Sequence, residues 1–464
     1  MGKKSVMDRN TAIKMIITFA IPILCCFIPT GEVFTVPMRT AIALTVWLLL
    51  WAAFELSDLA VPSVIWTAMM VFTKTVDAAT IFGVYSSLTF YGAMSMMLFA
   101  TVMARVGVLT RLAYWIAEKA GGTFGKLTFG VFFGVFAIAA ATFTGGVIIA
   151  AAFVYGVCKA LDLVGTKEGG ILTMAGIMAI GTSRMFWAYP ITMGMMNTSV
   201  QMTANPDFYM NFTTLFKYNW PSFFFSIIFI YLVLVFTKTK NKQMLGGKDY
   251  FREELNKMGA MSREEKLGIL FLICILAWVI LNPIHHWDMM YAFCFFSMLL
   301  FFPGIDIGKK EDFKNFSLGT LLFVMACMSI GSVCAATGIV EAVKGILGPI
   351  LESAGSTMAL YLVVAAAMIG NLGMTPNALL AGFSGMIYTI FEGIGMNPLA
   401  ALFAWNMGCD LVFLPYEYAT PLLFMAFGTM STSQFLKLNI FKNALFFVFF
   451  GVVMIPFWFI MGLL

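Results

Sequence analysis

The stretch Asp410-Leu-Val-Phe-Leu-Pro-Tyr-Glu-Tyr-Ala-Thr-Pro421 places two carboxylates and two prolines inside an otherwise apolar run. Each proline removes a backbone hydrogen-bond donor and disturbs a helical turn, so the stretch predicts a helix that is broken part-way along its length. Backbone carbonyl groups freed by such a break can bind a cation. The first expectation is therefore an interrupted helix with charged side chains at the interruption.

The composition around this stretch is that of a membrane protein. The chain has 464 residues, of which 61% are hydrophobic and 11% are charged, too little polar surface to cover a soluble globule of this size. Long apolar segments recur from Ile13 to Leu464. They are continuous rather than short and alternating, so they predict helices and not barrel strands. We expect an all-α polytopic membrane protein with about 11 transmembrane helices.

The placement of basic residues predicts the orientation. Lys and Arg are concentrated before the first apolar segment and in the polar linker 238–266, and such loops are usually cytoplasmic. We therefore predict a multi-pass protein of the bacterial inner membrane with a cytoplasmic N-terminus. The first apolar segment, about Ile13 to Ile28, could also be a signal peptide, but further spans follow it and a retained helix is favoured. This placement explains the basic charge without a nucleic-acid partner.

The sequence repeats itself at a constant offset. Trp278 lies 231 residues after Trp47, and Thr375 lies 231 residues after Thr144. Because the two halves would enter the membrane from opposite sides, the offset predicts an inverted repeat, although apolar helices also match by coincidence. The predicted divisions are a tail and first helix at 1–36, repeat 1 at 37–237, the cytoplasmic linker at 238–266 and repeat 2 at 267–464.

Each repeat contains a pair of apolar arms joined at a polar kink. These segments are 121–152, with the kink Thr142-Phe-Thr-Gly-Gly146, and 355–383, with the kink Asn371-Leu-Gly-Met-Thr-Pro-Asn377. Both are typical of re-entrant hairpins, whose tips must line a cavity because lipid cannot satisfy their backbone groups. The start of each returning helix favours a carboxylate or another oxyanion. The alternative is a pair of glycine-kinked spanning helices.

A second interruption follows each hairpin. The predicted broken helices are 170–203, which contains Gly181-Thr-Ser-Arg184 and Pro190, and 397–430, which contains the opening stretch. Discontinuous helices beside hairpin tips are typical of a secondary-transport site near the middle of the bilayer. The two halves together predict a site for an anion and a coupling ion.

Charged side chains at these breaks have several possible roles. The 231-residue offset pairs Glu417 with position 186, which is two residues after Arg184. A charge at this depth costs roughly 2.5 to 3.5 kcal/mol on insertion scales unless it is paired or wet. Arg184 could clamp an anion while Glu417 binds a proton or sodium, or the two could pair until substrate enters, or they could form a static salt bridge. Asp410 could couple protons or lie at a helix end near the headgroups.

These residues give the chain a family resemblance. The opening stretch and the following Phe427-Gly-Thr-Met-Ser-Thr-Ser-Gln-Phe435 are similar to the unwound tenth helix and its sequel in the divalent-anion/sodium symporters. The resemblance implies transport of sulfate, citrate or C4-dicarboxylates, an elevator-type mechanism and a homodimer. That family carries a Ser-Asn-Thr signature at both hairpin tips. Here the matching positions read Thr144-Gly-Gly146 and Thr375-Pro-Asn377, so sodium is more credible at the second tip than at the first.

The sequence thus predicts a secondary transporter of small divalent organic anions, coupled to sodium, protons or anion exchange. A cation/proton antiporter on the same fold is the alternative. An enzyme is not expected, because no metalloprotease or phosphate-binding motif is present. No cofactor is expected, with sodium as a candidate coupling ion; the expected partners are a small anion, the lipid bilayer and a second copy of the chain. The residues predicted to bind substrate are Thr144, Gly145, Gly146, Ser183, Arg184, Thr375, Pro376, Asn377, Thr420 and Pro421. The residues predicted to bind or couple a cation are Gly181, Asn371, Thr375, Asn377, Asp410 and Glu417, with Asn371 and Asn377 as the sodium ligands.

Overall fold

A computed structural model of the chain confirms the all-α fold. The structure describes residues 9–32, 34–54, 56–119, 122–142, 146–187, 190–240, 242, 247–315, 318–372 and 374–464. Every regular element in these ranges is helical. The long apolar helices are those of a polytopic membrane protein, as predicted.

The helices follow one another with short connections. The first twelve are α1 (Arg9–Cys25), α2 (Val36–Ala53), α3 (Ala60–Phe72), α4 (Ala78–Phe82), α5 (Leu88–Val106), α6 (Val108–Lys119), α7 (Phe124–Thr142), α8 (Val147–Ala160), α9 (Lys167–Phe186), α10 (Pro190–Thr203), α11 (Phe212–Asn219) and α12 (Ser222–Phe236). The next twelve are α13 (Gly247–Lys257), α14 (Arg263–Ile280), α15 (Asn282–His285), α16 (Met289–Leu299), α17 (Asp312–Asn315), α18 (Leu318–Ala336), α19 (Ile339–Gly370), α20 (Pro376–Gly393), α21 (Pro398–Gly408), α22 (Ala419–Met425), α23 (Thr432–Phe449) and α24 (Ile455–Ile460). Two 3₁₀ turns, Gly83–Ser86 and Pro415–Glu417, and a π-helical segment, Phe450–Met454, complete the set.

Some of these helices are long enough to cross a membrane unaided. Among the described residues, the five that qualify by length and hydropathy are Leu88–Val106, Phe124–Thr142, Leu318–Ala336, Ile339–Gly370 and Thr432–Ile460. A sixth span forms if α11 and α12, which meet at a 47° bend, are taken together. Several other helices are apolar but shorter. The total of about 11 crossings therefore stays a prediction.

One compact unit comprises Met1–Phe90, Met195–Tyr209 and Ser317–Cys409. Its centre is α18, which is buried along most of its length and packs against α3 and α20. Gly385 of α20 lies so close to the segment 195–203 that a side chain there would overlap the Ser199 carbonyl and the Thr203 hydroxyl. The Gly385 amide donates to the Ser199 hydroxyl at 3.0 Å, so glycine permits this close helix contact.

The other compact unit comprises Tyr91–Gly194, Met210–Phe316 and Asp410–Leu464. Its centre is α9, which packs against α7, α8, α12, α22 and α23. Almost every residue of α9 from Gly169 to Phe186 is buried, as expected for a helix that is apolar on all sides. A charged residue on this helix is therefore forced into the interior of the unit.

The helices end where the sequence predicts interruptions. Helix α7 ends at Thr142 and packs against α8, which begins at Val147. Helix α19 turns sharply at Gly355, where φ is +74°, then ends at Gly370 before α20. In the predicted broken helix 170–203, α9 and α10 are separate helices, and in 397–430 the chain leaves the helical path between α21 and α22. The two compact units are built from interleaved segments, so the predicted repeat boundaries stay predictions.

A polar cluster joins two parts of the second unit. Arg105 of α5 donates from Nε and Nη2 to both carboxylate oxygens of Asp312, at 2.9 and 3.0 Å. The Lys309 backbone amide donates to the same carboxylate at 2.7 Å. Burial would raise the pKa of Asp312, but these hydrogen bonds outweigh it and hold the pKa below the usual value of an aspartate. The cluster fixes the loop 300–312 to α5.

We expect Asp312→Asn to destabilise this unit by about 2 kcal/mol at pH 7, since a charge-assisted pair is lost. The lowered pKa means that the contribution of Asp312 is present above its unfolded pKa of about 3.9 and is lost as the pH falls through the folded value. The melting temperature in detergent should therefore differ between wild type and variant at pH 7 and converge in strong acid. Glu311→Gln removes a neighbouring exposed charge and serves as the control. Equal melting temperatures at pH 7 would contradict this role for the cluster.

Candidate functional site

The centre of the candidate site is a buried ion pair. Arg184, on the last turn of α9, is completely buried. Its Nε lies 3.3 Å from Oδ2 of Asp410, and its Nη2 contacts Oδ1 of the same carboxylate. The guanidinium therefore holds Asp410 with two nearly parallel hydrogen bonds, the strongest geometry for an arginine and a carboxylate. The ring of Tyr418 lies over the guanidinium, 4.9 Å from Cζ.

Asp410 is presented by the interruption that the prolines predict. Helix α21 ends at Gly408, and the next helical turn begins only at Pro415. Asp410 follows the end of α21 and is buried within the protein, so both expectations for it, proton coupling and a helix-end position near the headgroups, stay predictions. The carboxylate faces α9, and a Cβ atom built at Gly181 would lie 3.8 Å from Oδ1 of Asp410, an ordinary van der Waals contact. Gly181 therefore lies beside Asp410, and its predicted part in cation binding stays a prediction.

A second cation, missed in the sequence analysis, lies at the same place. Lys442 of α23 is buried, and its Nζ donates to the Asp410 backbone carbonyl at 2.9 Å. The sequence does contain a signal for it. Lys442 lies ten residues into the apolar segment Thr432–Ile460, which is about 15 Å along a helix and half-way across a bilayer. A lysine at that depth is a functional candidate by default.

The Glu417 carboxylate binds backbone amides at the helix interruption. Its carboxylate accepts hydrogen bonds from the backbone amides of Phe413, at 3.1 and 3.2 Å, and Leu414, at 2.8 Å. These amides lie where Pro415 interrupts the helix and have no helical carbonyl to bind. The arginine contacts Asp410, and Glu417 stabilises the non-helical backbone beside it, so these contacts do not favour the two expectations in which Arg184 pairs with Glu417. A proton or cation role of Glu417 stays a prediction.

A small cavity opens beside the ion pair. Its volume is about 30 Å³, and Asp410 and Lys442 line it together with Thr182 and Ser226. The predicted residues Gly181, Thr420 and Pro421 also face it. Ser183 is buried on α9 next to Arg184. A cavity of this size holds one or two waters but no carboxylic acid, so the site must open before a substrate enters.

Only part of the first hairpin tip lies within the described residues. Thr144 and Gly145 lie outside the described residues. Gly146 is buried, and its amide donates to the Thr142 hydroxyl at 3.1 Å. A side chain at position 146 would collide with Ile138 and Thr142, so the backbone here passes close to α7. The amide at the start of α8 is thus used within the hairpin itself.

The second hairpin tip lies in the first compact unit and carries two asparagine side chains, Asn371 and Asn377. The Asn371 side chain donates to the carbonyls of Gly408 and Cys409 at 3.4 and 3.0 Å. Thr375 caps α20, and Pro376 is buried at its first turn. The side-chain oxygen of Asn377 is buried and has no hydrogen-bond partner among the described residues. A buried amide oxygen of this kind suits a hard cation such as sodium.

The fold and the site define the class of protein. Long apolar helices, helix interruptions in the interior and a buried arginine–carboxylate pair are the features of a multi-pass membrane transporter. Within the described ranges, no group of three or more His, Cys, Asp or Glu side chains could hold a metal ion.

Comparison with known proteins gives the family. Residues 48–408 match the family described as citrate transporter, which is more than half of the chain. The protein belongs to this family and is a transporter of citrate or a related divalent anion. The narrower assignment to the divalent-anion/sodium symporters is not confirmed and stays a prediction. No curated protein matches the chain.

We expect Arg184→Ala to lower the stability of the protein by about 3 to 5 kcal/mol, because it leaves the Asp410 carboxylate buried without its partner. Adding Asp410→Asn to this variant removes the stranded charge and should restore most of the lost stability. The double-mutant cycle can be measured as melting temperatures in detergent. Strictly additive losses would show that the two side chains do not interact.

Proposed function

We propose that the protein is a secondary transporter that carries a small di- or tricarboxylate, with citrate as the first candidate, together with protons across the cytoplasmic membrane. The observation that carries this proposal is the buried pair of Arg184 and Asp410. Arg184 is the residue suited to bind a substrate carboxylate, but in this structure the Asp410 carboxylate contacts its guanidinium. Substrate and Asp410 therefore compete for one guanidinium.

This competition supplies a physical basis for proton coupling. When an anion takes Arg184, the Asp410 carboxylate loses its strongest partner while it remains buried. A buried carboxylate without a partner costs several kcal/mol, and protonation removes that cost. Binding of the anion therefore favours binding of a proton, and by linkage a proton on Asp410 favours binding of the anion. Of the three coupling modes expected from the sequence, proton coupling is the one that this geometry supports best.

Lys442 makes the site better suited to a multivalent anion. Arg184 and Lys442 bring two positive charges to Asp410, while the Glu417 carboxylate is held by backbone amides. When Asp410 is protonated, the two cations Arg184 and Lys442 face only one carboxylate, that of Glu417, so one positive charge is in excess. A substrate with more than one carboxylate can then contact Arg184 and Lys442 together, which a monocarboxylate cannot do.

Sodium remains a second candidate for the coupling ion. The unsatisfied Asn377 oxygen favours a cation at the second hairpin, where Asn371 and Thr375 lie nearby in the sequence. The predicted homodimer, the bacterial inner membrane and elevator-type movement rest on the family resemblance and the charge pattern. A cation/proton antiporter would instead use Asp410 and Glu417 as the exchanging carboxylates. That alternative gains support only if no anion is bound.

The transport activity of three variants tests the proposal. Arg184→Ala should lower citrate uptake into proteoliposomes by about 100-fold or more, because two charge-assisted hydrogen bonds to the substrate are lost. Asp410→Asn should retain citrate binding and lose the stimulation of uptake by an inward proton gradient. Lys442→Met should weaken citrate more than a monocarboxylate, whereas Lys437→Met, on the exposed face of the same helix, should behave as wild type. Normal uptake by Arg184→Ala, or failure of citrate, succinate, malate, 2-oxoglutarate and sulfate to bind, would refute the anion site.

Sodium dependence provides a separate prediction. The first hairpin lacks an asparagine at its tip, and only the second offers an unsatisfied amide oxygen among the described residues. We therefore expect weak stimulation of uptake when sodium replaces choline, and loss of this stimulation in Asn377→Ala. A steep dependence that requires two sodium ions would contradict the assignment of the first hairpin.

A further inference from the structure

A row of buried polar side chains runs along one face of α11 and α12. Ser226 and Ser222 are four residues apart on α12 and lie on the same side, and the Ser222 hydroxyl contacts the backbone of Asn219, the last residue of α11. Each is at most 1% exposed. Buried polar groups are costly unless they are hydrogen-bonded, and each of these side chains makes at least one hydrogen bond, that of Asn219 from Nδ2 to the Leu215 carbonyl.

The row ends at the cavity beside Asp410. Ser226 and Thr182 line this cavity with Asp410 and Lys442. The Thr182 hydroxyl donates to the Met178 carbonyl at 2.6 Å, so Ser226 donates in the bond between the two hydroxyls. One or two waters in the cavity of about 30 Å³ would bridge these hydroxyls to the carboxylate. The hydroxyls, the water and Asp410 then form a continuous chain of exchangeable protons.

The other end of the row lies at the bend between α11 and α12. Asn219 occupies this bend, and its side-chain oxygen is buried without a hydrogen-bond partner among the described residues. Ser222 donates to the Asn219 backbone carbonyl at 2.6 Å. In the orientation predicted from the basic residues, α12 ends at the cytoplasmic linker. Ser222 is therefore on the outer side of Ser226, about 6 Å away along α12, and Asn219 lies beyond it at the bend.

The charged groups that face Asp410 decide when a proton can remain there. Arg184 approaches from α9 and Lys442 from α23, and Glu417 lies on the turn before α22. Tyr418 contacts Arg184 rather than Asp410. While Arg184 holds the carboxylate, a proton is disfavoured; once an anion takes Arg184, Asp410 becomes the acceptor. The polar row itself contains no charged group that would trap the proton on the way.

We propose that Asn219, Ser222, Ser226 and Thr182, with the water-sized cavity, form a proton entry path from the outer face of the membrane to Asp410. This inference rests on the proposed function. A proton from the outer aqueous phase neutralises the Asp410 carboxylate as the anion takes Arg184. The same proton leaves to the cytoplasm when the anion is released and Arg184 returns to Asp410. No other group is consumed.

The test compares two threonines of α9. Thr182 and Thr173 are both buried, both donate to the carbonyl four residues earlier, and both meet a second hydroxyl, Ser226 or Thr429. Only Thr182 lines the cavity. We expect Thr182→Val and Ser226→Ala to slow citrate-dependent proton uptake into proteoliposomes by about tenfold or more, since a proton-transfer group is lost. Thr173→Val should leave it unchanged.

A second measurement separates the path from a structural role. Exchange of labelled for unlabelled citrate at equal pH requires no net proton transfer, so Thr182→Val and Ser226→Ala should lose much less of the exchange rate than of proton uptake. Wild-type proton uptake by both variants would overturn the proton path and leave the proposed function standing. Equal losses of exchange and proton uptake would assign Thr182 and Ser226 a purely structural role. Citrate transport by wild type without any proton uptake would refute the proposed coupling itself, and the path with it.

Discussion

The structure depends on a buried arginine that must be paired. Arg184 lies on a helix that is enclosed on all sides, where water cannot solvate a guanidinium. An isolated charge at such a position costs several kcal/mol, and so a carboxylate must be brought to it. Asp410 reaches it because the chain leaves the helical path after Gly408. The broken helix is therefore the means by which the second unit places a carboxylate against α9.

Breaking a helix in the membrane interior creates its own cost, because backbone amides lose their partners. The sequence meets this cost with a side chain from the break itself and with two side chains from α23. Glu417 accepts the amides of Phe413 and Leu414, and Asn443 donates to the Val412 carbonyl at 3.2 Å. Lys442 donates to the Asp410 carbonyl, two residues before Val412. The non-helical backbone is thus held in place by polar groups, two of which come from α23, and the ion pair is held with it.

Much of this arrangement can be predicted from the sequence, but not its pairings. The prolines at 415 and 421 predict the broken helix, and the polar kinks predict the ends of α7 and α19. The contact of Arg184 with Asp410 was not predicted, because the repeat offset points to Glu417, and the proline break leaves that carboxylate facing free amides. Lys442 was overlooked because it lies in an apolar helix with no motif around it. Periodicity and offsets locate helices and their breaks, whereas the choice among nearby charges depends on side-chain geometry.

The central claim is that the substrate anion and Asp410 compete for Arg184. It is tested most directly by counting the protons taken up when citrate binds to the purified protein, at a pH where citrate is fully ionised. Calorimetry in buffers of different ionisation enthalpy gives this number. We expect wild type to take up roughly one proton per bound anion and Asp410→Asn to take up none. Citrate binding without proton uptake, or the same uptake in both proteins, would contradict it.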